Sequence, residues 1–520
     1  MNATIKKMKT GWLALGLLTG TVAIAEPPMN VLFIAVDDLN DWIGVYDGHP
    51  QTQTPNLDRL ARETGAMVFD RAYCPASVCG PSRSAILTGL RPSFTGVYGN
   101  GQNLKIAPRS RDVETLPEYF SRHGYHTLSR GKIFHQHPGW TGMDEGQWAF
   151  DEWIPATGSD GIDSADLPLN QLPQVNGKMV PNDFDWGPTG NPIEELKDHR
   201  TAVWAAEQFD RDFNDTPFFM AVGISQPHLT WYVPQEFFDL HPLDEVIVPE
   251  YHLDDLEDIR TPNGKPKFSM SEDFARVQAA DMFKEATQGY LAAVSYADHC
   301  LGVVLGALEN SAYAGNTIVV IWGDHGWFLG EKLKYRKTQL WEESTRVPLL
   351  VRVPGVTQPA DRTAGLVNLI DLYPTLAELC GLDIPESVDG RSFAALLADG
   401  DADWSEPTLT TMGFKNHSLR DSRYRYSLYA DGTEELYDHQ TDPMEWQNLA
   451  SDPELQAVKD RLSQYLPTHD EPVAGNYEMD KKRLRRALAT IRRMGPEFRD
   501  QADQAAIDPE LLRSVYESTK

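Results

Sequence analysis

Cysteine is scarce in this chain: four residues in 520, at positions 74, 79, 300 and 380, with no pair spaced CxxC. So few thiols exclude a disulfide-built scaffold and a CxxC zinc or redox centre. Basic residues are also in deficit, 47 against 76 acidic ones, leaving a formal net charge of −29 and a pI near 4.8. Such acidity argues against nucleic acid or an anionic membrane as partner. Long hydrophobic runs are missing beyond the first residues, so stable membrane insertion is not expected. Internal repeats are absent as well.

The chain begins with a basic start (Lys6, Lys7, Lys9), a short apolar run from Trp12 to Ile24 and the small-residue site Ala23-Ile24-Ala25. This predicts a signal peptide over 1–25 and export to a periplasm or the exterior. Its removal takes away three lysines and no acids, moving the charge from −29 to −32. No cysteine follows the cut to carry a lipid. Two further units are expected, a catalytic domain over 26–400 and a C-terminal subdomain with a helical tail over 401–520.

Val31 to Val36 is a continuous apolar run ending in Asp37-Asp38, the pattern of a strand buried on both faces. Phe218 to Val222, Thr317 to Ile321 and Val347 to Val353 read as further buried strands, and Tyr125 to Leu128 as another. Helical patterns lie between them, among them Thr201 to Phe213, Phe283 to Leu308 and Leu372 to Leu379. Thr54-Pro55 and the capping box Thr115-Leu116-Pro117-Glu118 open two more helices. The alternation predicts an α/β fold, a mainly parallel sheet sandwiched by helices. Past residue 400, Tyr424 to Tyr429, a turn at Asp431-Gly432 and Glu435 to Tyr437 predict a hairpin in a smaller antiparallel α+β unit. Residues 137–197 and 236–278 read as long irregular excursions, and Lys481 to Arg493 as a solvated basic helix face. Cys300 and Cys380 fall in apolar helical patterns as small buried hydrophobes.

Candidate chemistry lies where strands end. Asp37-Asp38 and Asp324-His325 each follow a buried strand, where ligands of such sheets collect. One acidic pair alone reads as a turn or cap; two flanking one motif read as a site for a hard divalent cation, Ca²⁺. That motif is Cys79-Gly80-Pro81-Ser82-Arg83, closing with Leu87-Thr88-Gly89. A small nucleophile on a tight turn precedes a helix expected to open at Ser82, whose free amides and Arg83 would form an anion hole. Gly131-Lys132-Ile133-Phe134-His135 and Gln226-Pro227-His228 follow two other strands, and Lys332, Lys334, Arg336 and Lys337 form a basic loop. Taken singly, these are a surface pair, a loop histidine and a solvated loop.

Together, from about residue 29 to 390, these segments resemble the type I, formylglycine-dependent sulfatases. Gly-Lys-Ile-Phe-His and Asp-His-Gly-Trp-Phe-Leu-Gly-Glu are most similar to the iduronate-2-sulfatase branch, and Leu436-Tyr437-Asp438…Asp442-Pro443 extends the likeness. The last fifty residues match no known pattern. The resemblance implies an alkaline-phosphatase-like fold and oxidation of Cys79 to formylglycine by a maturation enzyme. It implies Ca²⁺ held by Asp37, Asp38, residue 79, Asp324 and His325. Arg83, Lys132 and Lys337 would spread the anion's charge, and Asp324 would take the attacking hydroxyl's proton. His228, with Lys337, would protonate the departing alcohol, and His135 would release sulfate. The implied substrate is a sulfated polysaccharide or its oligosaccharides, from algae or containing uronic acid. Trp327, Asn100, Gln102 and Asn103 read either as sugar contacts or, equally, as core packing for Trp327 and a plain turn for the others. Because the acidic molecule repels such a substrate, the basic loop is expected to supply local attraction. The competing readings are a phosphate or phosphonate monoester hydrolase of the same superfamily and an inactive binder of sulfated glycans.

Overall fold

The computed structural model describes residues 28–474 apart from 106, 136–145, 147, 160–167 and 176–182. The expected signal peptide and the Lys481 to Arg493 run lie outside the described residues. The first apolar run forms the strand Asn30–Val36, buried at every position. Phe218–Ile224 and Thr317–Gly323 pair with it in parallel on either side. His126–Gly131 and then Glu152–Ile154 extend the sheet in parallel beyond Phe218–Ile224. On the other flank Leu349–Arg352 runs antiparallel between Thr317–Gly323 and Met67–Tyr73, and Arg362–Asn368 joins Met67–Tyr73 in parallel. The result is a nine-stranded, mainly parallel sheet. The run read as one strand from Val347 to Val353 divides into Arg346–Val347 and Leu349–Arg352. Pro348 stands between them and has no N–H for the ladder.

Both faces of the sheet are covered, and the first strand shows how. Leu32, Ile34 and Val36 point into a core shared with the helices Pro55–Arg62, Lys197–Gln208 and Phe283–Glu309. Val31, Phe33 and Ala35 point into the opposite core, shared with Cys79–Thr88, Leu116–Arg122 and Leu372–Leu379. This is the period-two alternation of a strand buried on both sides. Phe283–Glu309 is long and apolar enough to cross a membrane by length and composition, contrary to the expectation that no such stretch follows the first residues. Its apolarity is spent inside the fold, where 72% of its most apolar window is buried. The capping box at Thr115 forms, with Glu118 Oε2 accepting from the Thr115 amide at 2.8 Å.

The strands Thr408–Thr411, His417–Arg420, Tyr424–Leu428 and Glu434–Asp438 make a four-stranded antiparallel sheet. Leu409, Leu419, Tyr426 and Leu436 pack beneath it with Leu462 of the helix Gln456–Ser463. Its buried Arg425 ties it to the larger unit by pairing with Glu342, while also bonding Glu445. The two excursions are less irregular than the sequence suggests. The first supplies Glu152–Ile154 to the sheet and Trp186–Thr189 to a small ribbon with Trp231–Pro234; the second ends in the helix beginning at Glu272. All four cysteines are free thiols.

Candidate active site

Four strands deliver side chains to one edge of the sheet, their carboxyl ends. Asp37 and Asp38 follow Asn30–Val36, and Asp324 and His325 follow Thr317–Gly323. Lys132 and His135 follow His126–Gly131, and His228 follows Phe218–Ile224. Gly131 and Gly223 sit opposite each other in the register. A Cβ at Gly223 would stand 2.2 Å from the Lys132 amide nitrogen, so the notch between these strands admits only hydrogen.

Cys79 comes from the opposite direction, at the head of the helix Cys79–Thr88. The helix therefore opens at Cys79 and not at Ser82. Val78 occupies the cap position with no side-chain bond, a start that no capping residue announces. The expected amide hole is largely filled. Ser82 N–H donates to Val78 O at 3.1 Å, Gly80 N–H donates to Asn100 Oδ1 at 2.8 Å, and Pro81 has no N–H.

Around the Cys79 Sγ the structure gathers two nitrogens and three carboxylates. Lys337 Nζ and His325 Nε2 each lie 3.1 Å from the sulfur, and Asp38 Oδ1 lies at 3.8 Å. Ligand atoms of Asp37, Cys79, Asp324 and His325 fall within 4.8 Å of one another, as do those of Asp37, Asp38, Cys79 and His228. Lys132 Nζ bonds Asp37 Oδ2, and Lys337 Nζ bonds Asp38 Oδ1. Burial alone would raise the Asp37 carboxyl, but Lys132, His228, Arg83 and Lys337 together hold it well below its ordinary range. Asp38 is held low against the same burial penalty, chiefly by Lys337.

This donor set suits a hard cation. Three buried carboxylates converge, and Asp38 Oδ2 is buried without a hydrogen-bond partner, an acceptor awaiting positive charge. His325 Nδ1 contacts its neighbour's carbonyl, Gly326 O, at 2.9 Å, which puts the proton on Nδ1 and turns Nε2 to the cluster. Burial would depress this imidazole, but Asp324 and Cys79 push it up to about 9, so a cation taking Nε2 displaces a proton.

Beside the cluster opens a cavity of about 430 Å³, lined by Asp37, Lys132, His135, Asp198, His228 and Tyr232 among others. His228 is 38% exposed there; its Nδ1 contacts Leu229 O at 2.7 Å, so Nε2 faces Asp38 Oδ2 at 3.8 Å. Burial, reinforced by Lys132, pushes the His135 imidazole down to about 3, leaving it neutral. Asp198, a residue that no motif in the sequence marks, accepts from the amides of Ser225 and Gln226 at 3.0 and 2.7 Å and thereby anchors the His228 loop.

Several expected residues stand elsewhere or do something different. Trp327 is 1% exposed, packed against Trp231 in the core, and offers no face to a sugar. Gln102 caps a turn by accepting from Tyr98 and Gly99, and buried Asn103 accepts from the Lys105 amide. Asn100 is exposed, but its carbonyl oxygen is spent on the start of the Cys79 helix. Arg83 is fully buried, its guanidinium shared among Asp324 Oδ2 at 2.7 Å, Asp37 Oδ1 at 3.1 Å and the carbonyls of Lys132 and Ile133. It braces the carboxylates and presents no free edge to an anion. Of the basic loop only Lys337 reaches the cluster. Lys332 is buried against Asp255, Lys334 bonds Ser269 O, and Arg336 pairs with Asp183 and Asp273.

Comparison with known proteins places this arrangement. Residues 29–382 match the family model described as Sulfatase, and residues 323–471 that of the N-sulphoglucosamine sulphohydrolase C-terminal region. A sulfatase of Formosa agariphila is 38% identical over 450 residues, 84% of this chain and 86% of the relative. Human iduronate 2-sulfatase is 30% identical over 441 residues, 74% of this chain and 76% of its own. An ulvan-active sulfatase of Formosa agariphila is 28% identical, covering 84% of this chain and 80% of the relative. Two of the solved structures that share the fold show its range. One, in complex with its substrate D-glucosamine-2-N,6-O-disulfate, superposes with a TM-score of 0.64 at 20% identity, covering 84% of this chain and 96% of that one. The other, a phosphonate monoester hydrolase of Silicibacter pomeroyi, gives 0.65 at 22% identity, covering 84% and 94%.

Proposed function

The chain belongs to the sulfatase family, and from that premise we propose that it removes sulfate esters from a sulfated polysaccharide or its oligosaccharides, using Ca²⁺ and a formylglycine at position 79. The enzyme is a sulfuric ester hydrolase. The observation that carries the finer reading is the convergence of three buried carboxylates, Lys132 and Lys337 around Cys79, beside a cavity of about 430 Å³ that opens onto them. The ulvan-active relative and the glucosamine disulfate complex support a glycan as substrate.

Asp37, Asp38, Asp324 and His325 would hold Ca²⁺, which would supply Lewis acidity to the sulfuryl group. The hydrated aldehyde at position 79 supplies one hydroxyl for attack and a second through which sulfate is later expelled. The chain's own groups do the rest. Asp324, fixed by Arg83, accepts the proton of the attacking hydroxyl. Lys132 and Lys337 balance the anion's charge. His228 presents Nε2 to the cavity and, with Lys337, protonates the departing sugar oxygen. His135, kept neutral by burial, takes the proton from the second hydroxyl. A maturation enzyme must act on Cys79 first, and the leader over 1–25 would carry the product to a periplasm or the exterior.

The test combines mass and turnover. Matured protein should show the peptide containing position 79 with SH and H replaced by O. It should release inorganic sulfate from at least one of carrageenan, ulvan, fucan or glycosaminoglycan oligosaccharides. Faster hydrolysis of a matched phosphate ester would replace this reading with a phosphohydrolase. Saccharide binding without release, on an unaltered cysteine, would make the protein a binder.

A further inference from the structure

Lys337 reaches the cluster from a loop held in a costly shape. The residues on either side of it, Arg336 and Thr338, both have φ of +71°, the left-handed region that side-chain-bearing residues avoid. Lys337 also stands near other cations: it bonds Asp38, while Lys132 and Arg83 bond the adjacent Asp37. Asp38 attracts the ammonium against that repulsion, but the strained backbone still favours withdrawal of the loop, so something must hold it.

The holder is visible on each side. After Lys337, the Thr338 amide donates to Ser77 O at 2.9 Å, two residues before Cys79. Before it, Arg336 donates from Nε to Asp273 Oδ2 at 2.6 Å, and from its two terminal nitrogens to Asp183 at 3.1 and 2.8 Å, with its guanidinium over the Phe184 ring. Asp273 lies in the first turn of Glu272–Ala280, whose cap Ser271 accepts from the Tyr335 amide at 3.2 Å and donates its own amide to Leu333 O at 2.9 Å. Asp183 and Asp273 belong to the two long excursions. A planar fork gripping two carboxylates fixes direction as well as distance, which an ordinary surface ion pair does not.

We infer that Arg336 is a positioning residue for Lys337: through it, Asp183 and Asp273 set where the ammonium stands beside residue 79. This rests on the reading in which Lys337 meets charge developing on sulfate and the departing oxygen. The excursions would then tune turnover without touching the sulfate.

Arg336→Gly separates grip from strain, because glycine accepts a φ of +71° freely and only the clamp is lost. Arg336→Lys keeps the charge but not the fork. Both should keep the wild-type melting temperature within a few degrees. On a sulfated oligosaccharide, kcat should fall by about 10- to 100-fold with KM changed less than about 3-fold, the cost of misplacing one group. The loss should be several-fold smaller on 4-nitrophenyl sulfate, whose departing oxygen needs less help. Wild-type kcat in Arg336→Gly, an equal loss on both esters, or a melting decrease large enough to explain the loss would each overturn the inference. Absence of sulfate release by the unmutated enzyme would instead refute the assigned reaction.

Discussion

Arg83 Nε donates to Asp324 Oδ2 at 2.7 Å, and neither side chain is exposed to solvent. The same guanidinium holds Asp37 Oδ1 at 3.1 Å, so one cation orients carboxylates from two different strands. The Cys-x-Pro-x-Arg motif thus places its arginine beneath the site as a brace between sheet and helix.

Replacing that brace should cost fold and activity together. Arg83→Leu leaves buried Asp324 without its cationic partner and Asp37 with Lys132 alone, a change that typically destabilises by about 3–5 kcal/mol. Chemical denaturation should show the loss, and sulfate release should fall to background even at temperatures where the variant is folded. A variant that is stable and active would remove Arg83 from this role.

Cys79→Ser should fold normally yet turn over about a thousandfold more slowly or worse, because a serine ester has no second hydroxyl to expel sulfate. Mass spectrometry of the peptide containing position 79 should detect sulfate retained on serine after exposure to substrate. Wild-type turnover by this variant would end the two-hydroxyl scheme.

Removing divalent cations should abolish turnover and lower the melting temperature. Ca²⁺ at a hundred times its Kd should restore about 2.7 kcal/mol of stability. Asp38→Asn, which blunts the carboxylate with the partnerless oxygen, should weaken that response. Calorimetry with Ca²⁺ alone measures it. Equal Ca²⁺ binding by both proteins would place the cation elsewhere.

His135 supplies a pH prediction. Its folded pKa of about 3 lies below the ordinary 6.5, first through burial and then through Lys132, so the unfolded chain binds the extra proton between these values. Native stability therefore rises with pH across that window and is lost as pH falls below about 6.5, by up to about 1.4 kcal/mol per pH unit. The stability of wild type relative to His135→Gln should decline on acidification from pH 7 to 5. His135→Gln should also lower kcat across pH 5–8 without moving the acid limb. A parallel stability profile for the two proteins would contradict the shift.

What the sequence made legible was whatever is encoded locally. The apolar runs ending in Asp37-Asp38 and near Asp324-His325 announce strands, and a mainly parallel sheet brings their carboxyl ends to one edge. The capping box at Thr115 is equally local. What stayed hidden depends on partners distant in the chain. Nothing in Leu349–Arg352 declares that it runs against its neighbours. Val78 carries no capping side chain, so the helix start at Cys79 has no marker. Lys332, Lys334, Arg336 and Lys337 look alike in composition; Asp255, Ser269, Asp273 and Asp183 decide that only Lys337 faces the cluster. Trp327 reads equally as a sugar contact and as a core residue until its packing against Trp231 decides for the core.

The facing pair Gly131 and Gly223 makes two positions with no functional group as unforgiving as the nucleophile itself. A single methyl at 223 would push the Lys132 peptide outward and carry its ammonium away from Asp37. In a library of random variants, this bare crossing should go as silent as position 79, marking the active centre by what it cannot accommodate.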